Sequence, residues 1–90
     1  MRAKATLKFW KLYAGLPREV QHQARKAYLM WKANPNHPSL RFKRVDEEEP
    51  IYSARVSGSY RVLGVLEDDT IIWFWIGDHA EYDRLIARRK

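Results

Sequence analysis

Hydrophobic residues recur at helical spacing in the first third of the chain. The apolar positions from Leu7 to Ala14 predict a short helix capped by Thr6. A second apolar stripe, with Pro17 in its first turn, predicts a longer helix that ends at about Ala33, before an Asn-Pro pair. Trp10 has core spacing in the first helix and is predicted to be buried. The stripe of the second helix comprises Val20, Ala24, Ala27, Tyr28 and Trp31.

Four apolar or alternating runs follow the second helix and predict strands over residues 40–45, 51–56, 60–66 and 71–76. The last run is apolar on both faces, with Trp73 and Trp75 on one face and Phe74 on the other, which indicates a central strand. Residues 80–89 predict a short helix. We therefore predict an α+β fold in which two N-terminal helices pack on a four-stranded, mainly antiparallel sheet, followed by a short C-terminal helix.

Length and composition restrict the class of protein further. A chain of 90 residues is expected to form a single domain over residues 1–90. The absence of cysteine excludes disulfides, thiol nucleophiles and Cys-ligated zinc, and is typical of a cytoplasmic protein. The three histidines lack metal-binding spacing, so neither a metal nor another cofactor is expected. No apolar run approaches the roughly 18 residues of a transmembrane helix, so we expect no membrane partner.

Basic charge is concentrated in the first half of the chain. The net charge is +6, but residues 1–45 carry 11 basic side chains and one acidic one, whereas residues 46–90 carry 6 and 10. A basic half favours an anionic partner such as nucleic acid, or an acidic protein. Solvated lysines and arginines on exposed helix faces explain the same charge equally well.

Five stretches together resemble the toxins of the RelE/ParE superfamily from bacterial type II toxin–antitoxin systems. They are LPREVQ at residues 16–21, NPNHPSLRFK at 34–43, SARVSGSYR at 53–61, WFWI at 73–76 and GDHAEYD at 77–83. The resemblance implies a compact toxin that a cognate antitoxin neutralises. RelE-like members cut mRNA, usually in the ribosomal A site, whereas ParE-like members inhibit DNA gyrase and are not nucleases.

The resemblance therefore leaves three functions open. The first is a metal-independent, ribosome-dependent mRNA endonuclease, with the ribosome and mRNA as partners. The second is a non-enzymatic inhibitor of DNA gyrase, and the third is a catalytically idle member that only binds its antitoxin or nucleic acid. Side chains suited to RNA chemistry favour the endonuclease, because arginine pairs with phosphate and histidine exchanges protons near neutral pH.

Arg61 and Arg55 are the candidates for phosphate binding. Arg61 stands in the Tyr-Arg pair of the resemblance and is a charge within an apolar strand, although pairing with Glu67 or with the acidic turn at 46–49 would also explain it. A two-residue turn would place Arg55 on the opposite face from Arg61. A three-residue turn with a bulge at Gly58 would place the two arginines across from one another.

The segment after the last strand holds the candidates for proton transfer. His79 is the candidate general acid, and Tyr82 is a candidate acid or base-stacking residue. A helix cap for His79 and packing against the sheet for Tyr82 are the structural alternatives. Asp83 is interpreted as an exposed helical carboxylate rather than a residue that orients a histidine. Arg41 and Lys43 share one face of a predicted strand and are candidate RNA-binding residues, or a solvated edge.

Overall fold

The computed structural model describes residues 1–89, with the backbone alone for Arg89. The helices are α1 (Leu7–Ala14), α2 (Arg18–Ala33) and α3 (His79–Arg89), and a 3-10 turn spans Pro38–Leu40. The strands are β1 (Arg2–Ala5), β2 (Lys43–Arg44), β3 (Ile51–Arg55), β4 (Tyr60–Glu67) and β5 (Thr70–Asp78). The α+β class is confirmed. Over residues 1–89, every helix is too short or too polar to cross a membrane.

The sheet has five strands rather than the predicted four, in the order β1-β5-β4-β3-β2. The additional strand, β1, pairs in parallel with β5, and all other pairs are antiparallel. The sequence of β1 gives little signal because two of its four residues are charged and the other two are alanines. It forms because β5 supplies a parallel edge and because Ala3 and Ala5 pack against the main core.

The strand predicted over residues 40–45 is reduced to the two residues of β2. Leu40 ends the 3-10 turn, and Arg41 follows it in the left-handed region with φ 46° and ψ 42°. An extended strand cannot include that conformation, so pairing with β3 begins only at Lys43. Both residues of β2 are exposed, which is typical of a short edge strand.

The sheet separates two hydrophobic cores. Helices α1 and α2 cover one face, where the buried residues include Phe9, Trp31 and Trp73. Helix α3 covers the opposite face, hereafter the α3 face, around Ile51, Leu63, Trp75 and Tyr82. All candidate site residues in the sheet must therefore be assigned to one face or the other.

A bulge in β5 changes which residues share a face. Leu63 pairs with Trp75 and Gly64 pairs with Trp73, so Phe74 is an extra residue without a partner on β4. Consequently Trp73 faces α1 and α2, whereas Trp75 lies under α3. The prediction that these two tryptophans share a face is wrong, because one inserted residue inverts strict alternation.

The predicted burial of Trp10 is also wrong. Its side chain is 52% exposed, and its ring meets the edge of Phe9 at 5.2 Å between centroids. Phe9 instead provides the buried aromatic contact of α1. Tyr28 and Leu29 of α2 are likewise exposed, at 42% and 67%. The two N-terminal helices thus leave an apolar surface uncovered.

Candidate functional site

The β3–β4 hairpin places two arginines side by side. Arg55 pairs directly with Arg61, so both side chains leave the sheet on the same face. This is the α3 face, because Ser53, two residues before Arg55, contacts Tyr82 of α3. The register is that of the three-residue turn. No glycine among residues 1–89 has a positive φ, so the turn forms without the left-handed Gly58 expected of such a bulge.

Backbone carbonyls hold the Arg61 side chain. Its Nη1 donates to the carbonyl oxygens of Ser57 at 2.6 Å and Tyr60 at 2.9 Å. Within the described part of the chain Arg61 forms no ion pair with a carboxylate, so the alternative pairing with Glu67 or the acidic turn is not present. The guanidinium is therefore fixed in place without having its charge neutralised.

Burial and neighbouring charges both act on this guanidinium. Burial lowers the pKa of Arg61 from its ordinary value, and the neighbouring charges of Arg55 and Arg41 lower it further. Tyr82 and Asp83 act on the Arg61 pKa in the opposite direction. Arginine nevertheless stays protonated at neutral pH. The cluster therefore holds positive charge that a bound anion would stabilise.

Arg41 and Lys43 flank the arginine pair. Lys43 pairs with Ser53 and so lies on the α3 face. Arg41 stands two residues earlier, and its effect on the Arg61 pKa shows that its charge reaches the cluster. A left-handed backbone at a non-glycine residue costs on the order of 1 kcal/mol, and such strain is concentrated at functional sites. The two predicted RNA-binding residues therefore lie next to the predicted phosphate site.

Helix α3 begins at this hairpin. The backbone N–H of His79 donates to the carbonyl oxygen of Ser59 at 2.7 Å. The His79 side chain does not cap the helix, because the carboxylate of Asp78 accepts from the N–H of Glu81 at 2.8 Å. Instead, Nδ1 of His79 lies 3.0 Å from Oδ2 of Asp83. An imidazole is thus fixed beside the turn from which Arg55 and Arg61 extend.

Tyr82 connects α3 to the sheet. It is buried at 8% exposure, and its hydroxyl donates to Oγ of the buried Ser53 at 3.1 Å. The ring also lies 5.8 Å from the ring of His79, measured between centroids. A buried ring is not available for stacking on a base, and its hydroxyl already has a partner. The geometry therefore favours the packing alternative for Tyr82.

Sequence reasoning missed two residues of this arrangement. Asp83 is exposed as predicted, at 61%, but it also contacts His79, the alternative that the sequence analysis set aside; its spacing of four residues from His79 on a helix is the signal for that contact. Ser53 lies 29 residues from Tyr82, and no local pattern indicates that contact. Only the register of the folded sheet brings them together.

The family model of the ParE-like toxin domain matches residues 18–84, which include every candidate site residue. The chain belongs to the ParE-like toxin family. This membership confirms the resemblance identified from the sequence. No curated protein sequence shows a significant match to this ParE-like toxin.

Solved structures of similar toxins share its fold. The RelB–RelE antitoxin–toxin complex from Methanococcus jannaschii is 18% identical with a TM-score of 0.71, covering 90% of this chain and 96% of that chain. The RelBE2 toxin–antitoxin complex from Mycobacterium tuberculosis is 18% identical with a TM-score of 0.70, covering 87% and 96%. The YoeB/ParE toxin from Agrobacterium tumefaciens is 13% identical with a TM-score of 0.69, covering 88% and 99%. Identities this low establish a common fold and nothing finer.

A second feature of the ParE-like toxin lies on the opposite face of the sheet. A cavity of about 480 Å³ opens between α1, α2 and the sheet, and the exposed side chains of Trp10, Tyr28 and Leu29 line it. Trp31 also lines this cavity, and its buried Nε1–H has no acceptor within residues 1–89. We call this feature the helical groove. An exposed apolar groove is typical of a surface that another molecule covers.

Proposed function

We propose that this ParE-like toxin is a metal-independent, ribosome-dependent mRNA endonuclease. The observation that carries the proposal is the register of the β3–β4 hairpin, which sets Arg55 directly opposite Arg61. His79 lies at the same turn through its hydrogen bond to Ser59. Two arginines and one imidazole at one end of a sheet supply phosphate binding and proton transfer together.

The chemistry follows from those side chains. The 2′-oxygen of the RNA attacks the adjacent phosphorus and loses its proton to water. Arg55 and Arg61 bind the non-bridging oxygens as negative charge develops there, and the bond from phosphorus to the 5′-oxygen breaks. His79 donates a proton to the departing 5′-oxygen. Arg41 and Lys43 bind neighbouring phosphates, and Tyr82 holds α3 against the sheet.

Messenger RNA integrity in a reconstituted translation reaction tests this proposal. Wild-type protein is expected to cut the message when ribosomes are translating it. Arg55→Gln is the informative variant, because the hydrogen bonds that hold the turn come from the Arg61 side chain, whereas no side-chain hydrogen bond of Arg55 is found within residues 1–89. We expect a loss of about 10²-fold or more in cutting, as for removal of one donor to a developing oxyanion.

The matched control is Lys26→Gln, which removes one positive charge from an exposed position on α2. It is expected to cut message at the wild-type rate. Intact message at high toxin concentration would contradict the proposal. Inhibition of gyrase supercoiling that persists in His79→Ala would instead support the gyrase inhibitor.

We further propose that the helical groove receives the cognate antitoxin. The groove is apolar, and Lys4 and Arg25 are among its lining residues, so it fits a segment with both apolar and acidic side chains. The two RelB–RelE structures above contain such a toxin with its antitoxin. The corresponding partner here is expected from the neighbouring reading frame.

Co-purification tests this partner. Trp10→Ser removes an exposed aromatic side chain from the groove and is expected to abolish co-purification with a tagged antitoxin. Leu7→Ala is the matched control, because Leu7 is 72% exposed on the same helix and does not line the groove. Equal retention of antitoxin by both variants would contradict the assignment of this surface.

A further inference from the structure

We propose that Asp83 is a positioning residue that holds His79 in the tautomer with its proton on Nδ1. The effect of this contact on catalysis rests on the proposed ribonuclease function, but the tautomer itself can be measured separately. Nδ1 of His79 lies 3.0 Å from Oδ2 of Asp83, which is hydrogen-bond distance. A carboxylate only accepts, so in the neutral imidazole the proton of this bond belongs to Nδ1.

The tautomer decides which nitrogen can exchange a proton with a substrate. When Nδ1–H is donated to Asp83, Nε2 is the nitrogen that remains free to gain or lose a proton. The His79 side chain is 44% exposed, so the ring is open to solvent at the hairpin from which the arginines extend. Without Asp83 the ring would distribute its proton between both nitrogens, and Nδ1 would no longer be the fixed position of that proton.

Contacts on other elements distinguish this pair from an ordinary surface pair on a helix. The His79 ring packs 5.8 Å from that of Tyr82, and Tyr82 is itself fixed by its hydrogen bond to Ser53 of β3. The backbone of His79 is tied to Ser59 of the hairpin. Asp83 also acts on Arg61, as its effect on the pKa of that guanidinium shows. The imidazole that the carboxylate contacts is therefore held by groups on the hairpin and the sheet.

Long-range ¹⁵N NMR of the imidazole rings measures the tautomer directly. In wild-type protein, in alkaline buffer that leaves the ring neutral, His79 is expected to show the Nδ1–H pattern. Asp83→Ala is expected to shift His79 toward the Nε2–H pattern. Glu81→Ala is the matched control, because it removes an exposed acid from the same helix without touching His79. A wild-type ring in the Nε2–H form, or a ring unchanged by Asp83→Ala, would overturn the inference.

Cleavage kinetics provide the second measurement. Asp83→Ala is expected to lower kcat about tenfold, by analogy with the lower end of the loss when the partner of a metal-bound histidine is removed, while KM stays unchanged. In a His79→Ala background, removing Asp83 is expected to have no further effect. If Asp83→Ala lowers kcat equally in that background, Asp83 does not act through His79. If wild type shows the Nδ1–H form but cuts no RNA, the positioning of His79 by Asp83 is supported and the proposed ribonuclease function is contradicted.

Discussion

Gly77 is the position where the site depends most directly on the absence of a side chain. It lies in β5 opposite Arg61, on the α3 face, two residues after Trp75. A Cβ placed on Gly77 would lie 2.5 Å from Cζ2 and 2.8 Å from Cη2 of the Trp75 indole. Carbon atoms in contact are normally 3.5–4.0 Å apart, so Gly77→Ala forces the ring to move by about 1 Å.

The Trp75 ring has little space in which to move. It is 6% exposed and packs in one cluster with Leu63 and Tyr82. Added volume in a packed core typically costs about 1–3 kcal/mol. In a domain of this size each kcal/mol lowers the melting temperature by about 4–8 °C. We therefore expect Gly77→Ala to melt at least about 5 °C below wild type, with α3 displaced from the arginine cluster.

Thermal unfolding followed by circular dichroism checks this expectation, with Gly58→Ala as the control. At Gly58 the nearest atom to an added Cβ is Nη2 of Arg55 at 3.8 Å, an ordinary contact, and the backbone φ is not positive. That variant is expected to melt at the wild-type temperature or up to about 8 °C above it, since it creates no overlap and restricts the unfolded chain. The reasoning is refuted if Gly77→Ala melts at the wild-type temperature, or if Gly58→Ala is destabilised as much.

Three further predictions concern the arginine cluster and α3. Arg41→Gly removes the left-handed strain but adds freedom to the unfolded chain, so stability in urea should stay within about 1 kcal/mol of wild type. The slope of the logarithm of RNA affinity against the logarithm of salt concentration should be shallower by about 0.7 in Arg41→Gly than in wild type. An unchanged slope would contradict phosphate contact by Arg41. Tyr82→Phe leaves the buried Ser53 hydroxyl without this partner and should cost about 1–3 kcal/mol in urea unfolding. Tyr82→Phe should still cut RNA. If a folded Tyr82→Phe variant no longer cuts RNA, the Tyr82 hydroxyl would instead be the donor of the proton to the departing 5′-oxygen. Inorganic phosphate at ten times its Kd should stabilise the wild type by about 1.4 kcal/mol in thermal unfolding. The gain should shrink in Arg55→Gln, and an equal gain would place the bound phosphate elsewhere.

Local patterns in the sequence were sufficient for the helices, except that Pro17 is the N-cap of α2 rather than a residue of its first turn. The α1 boundaries match the prediction because Thr6 caps the helix through a 3.1 Å hydrogen bond from the N–H of Phe9. The end of α2 at Ala33 follows from the proline at position 35. These signals lie within a few residues of the boundary that they determine. They do not depend on the rest of the fold.

Positions decided by pairing between strands were not predictable in the same way. The β1 strand depends on β5, almost 70 residues later in the chain. The bulge at Phe74 separates Trp73 from Trp75, and no local residue preference distinguishes the extra residue from its neighbours. The register of Arg55 with Arg61 was open for the same reason, because the turn residues permitted two pairings that differ by one position.

The charge of the site follows from how its arginines are held. Arg61 is fixed by the carbonyl oxygens of Ser57 and Tyr60, which orient a guanidinium without cancelling its charge as a carboxylate would. Arg55 and Arg41 stand nearby and make that charge less stable in the unliganded protein. Under the proposed function we expect a bound phosphate to relieve this repulsion, so that part of its binding energy comes from that relief. The acidic second half of the chain thus contains a locally basic site, which net charge alone could not show.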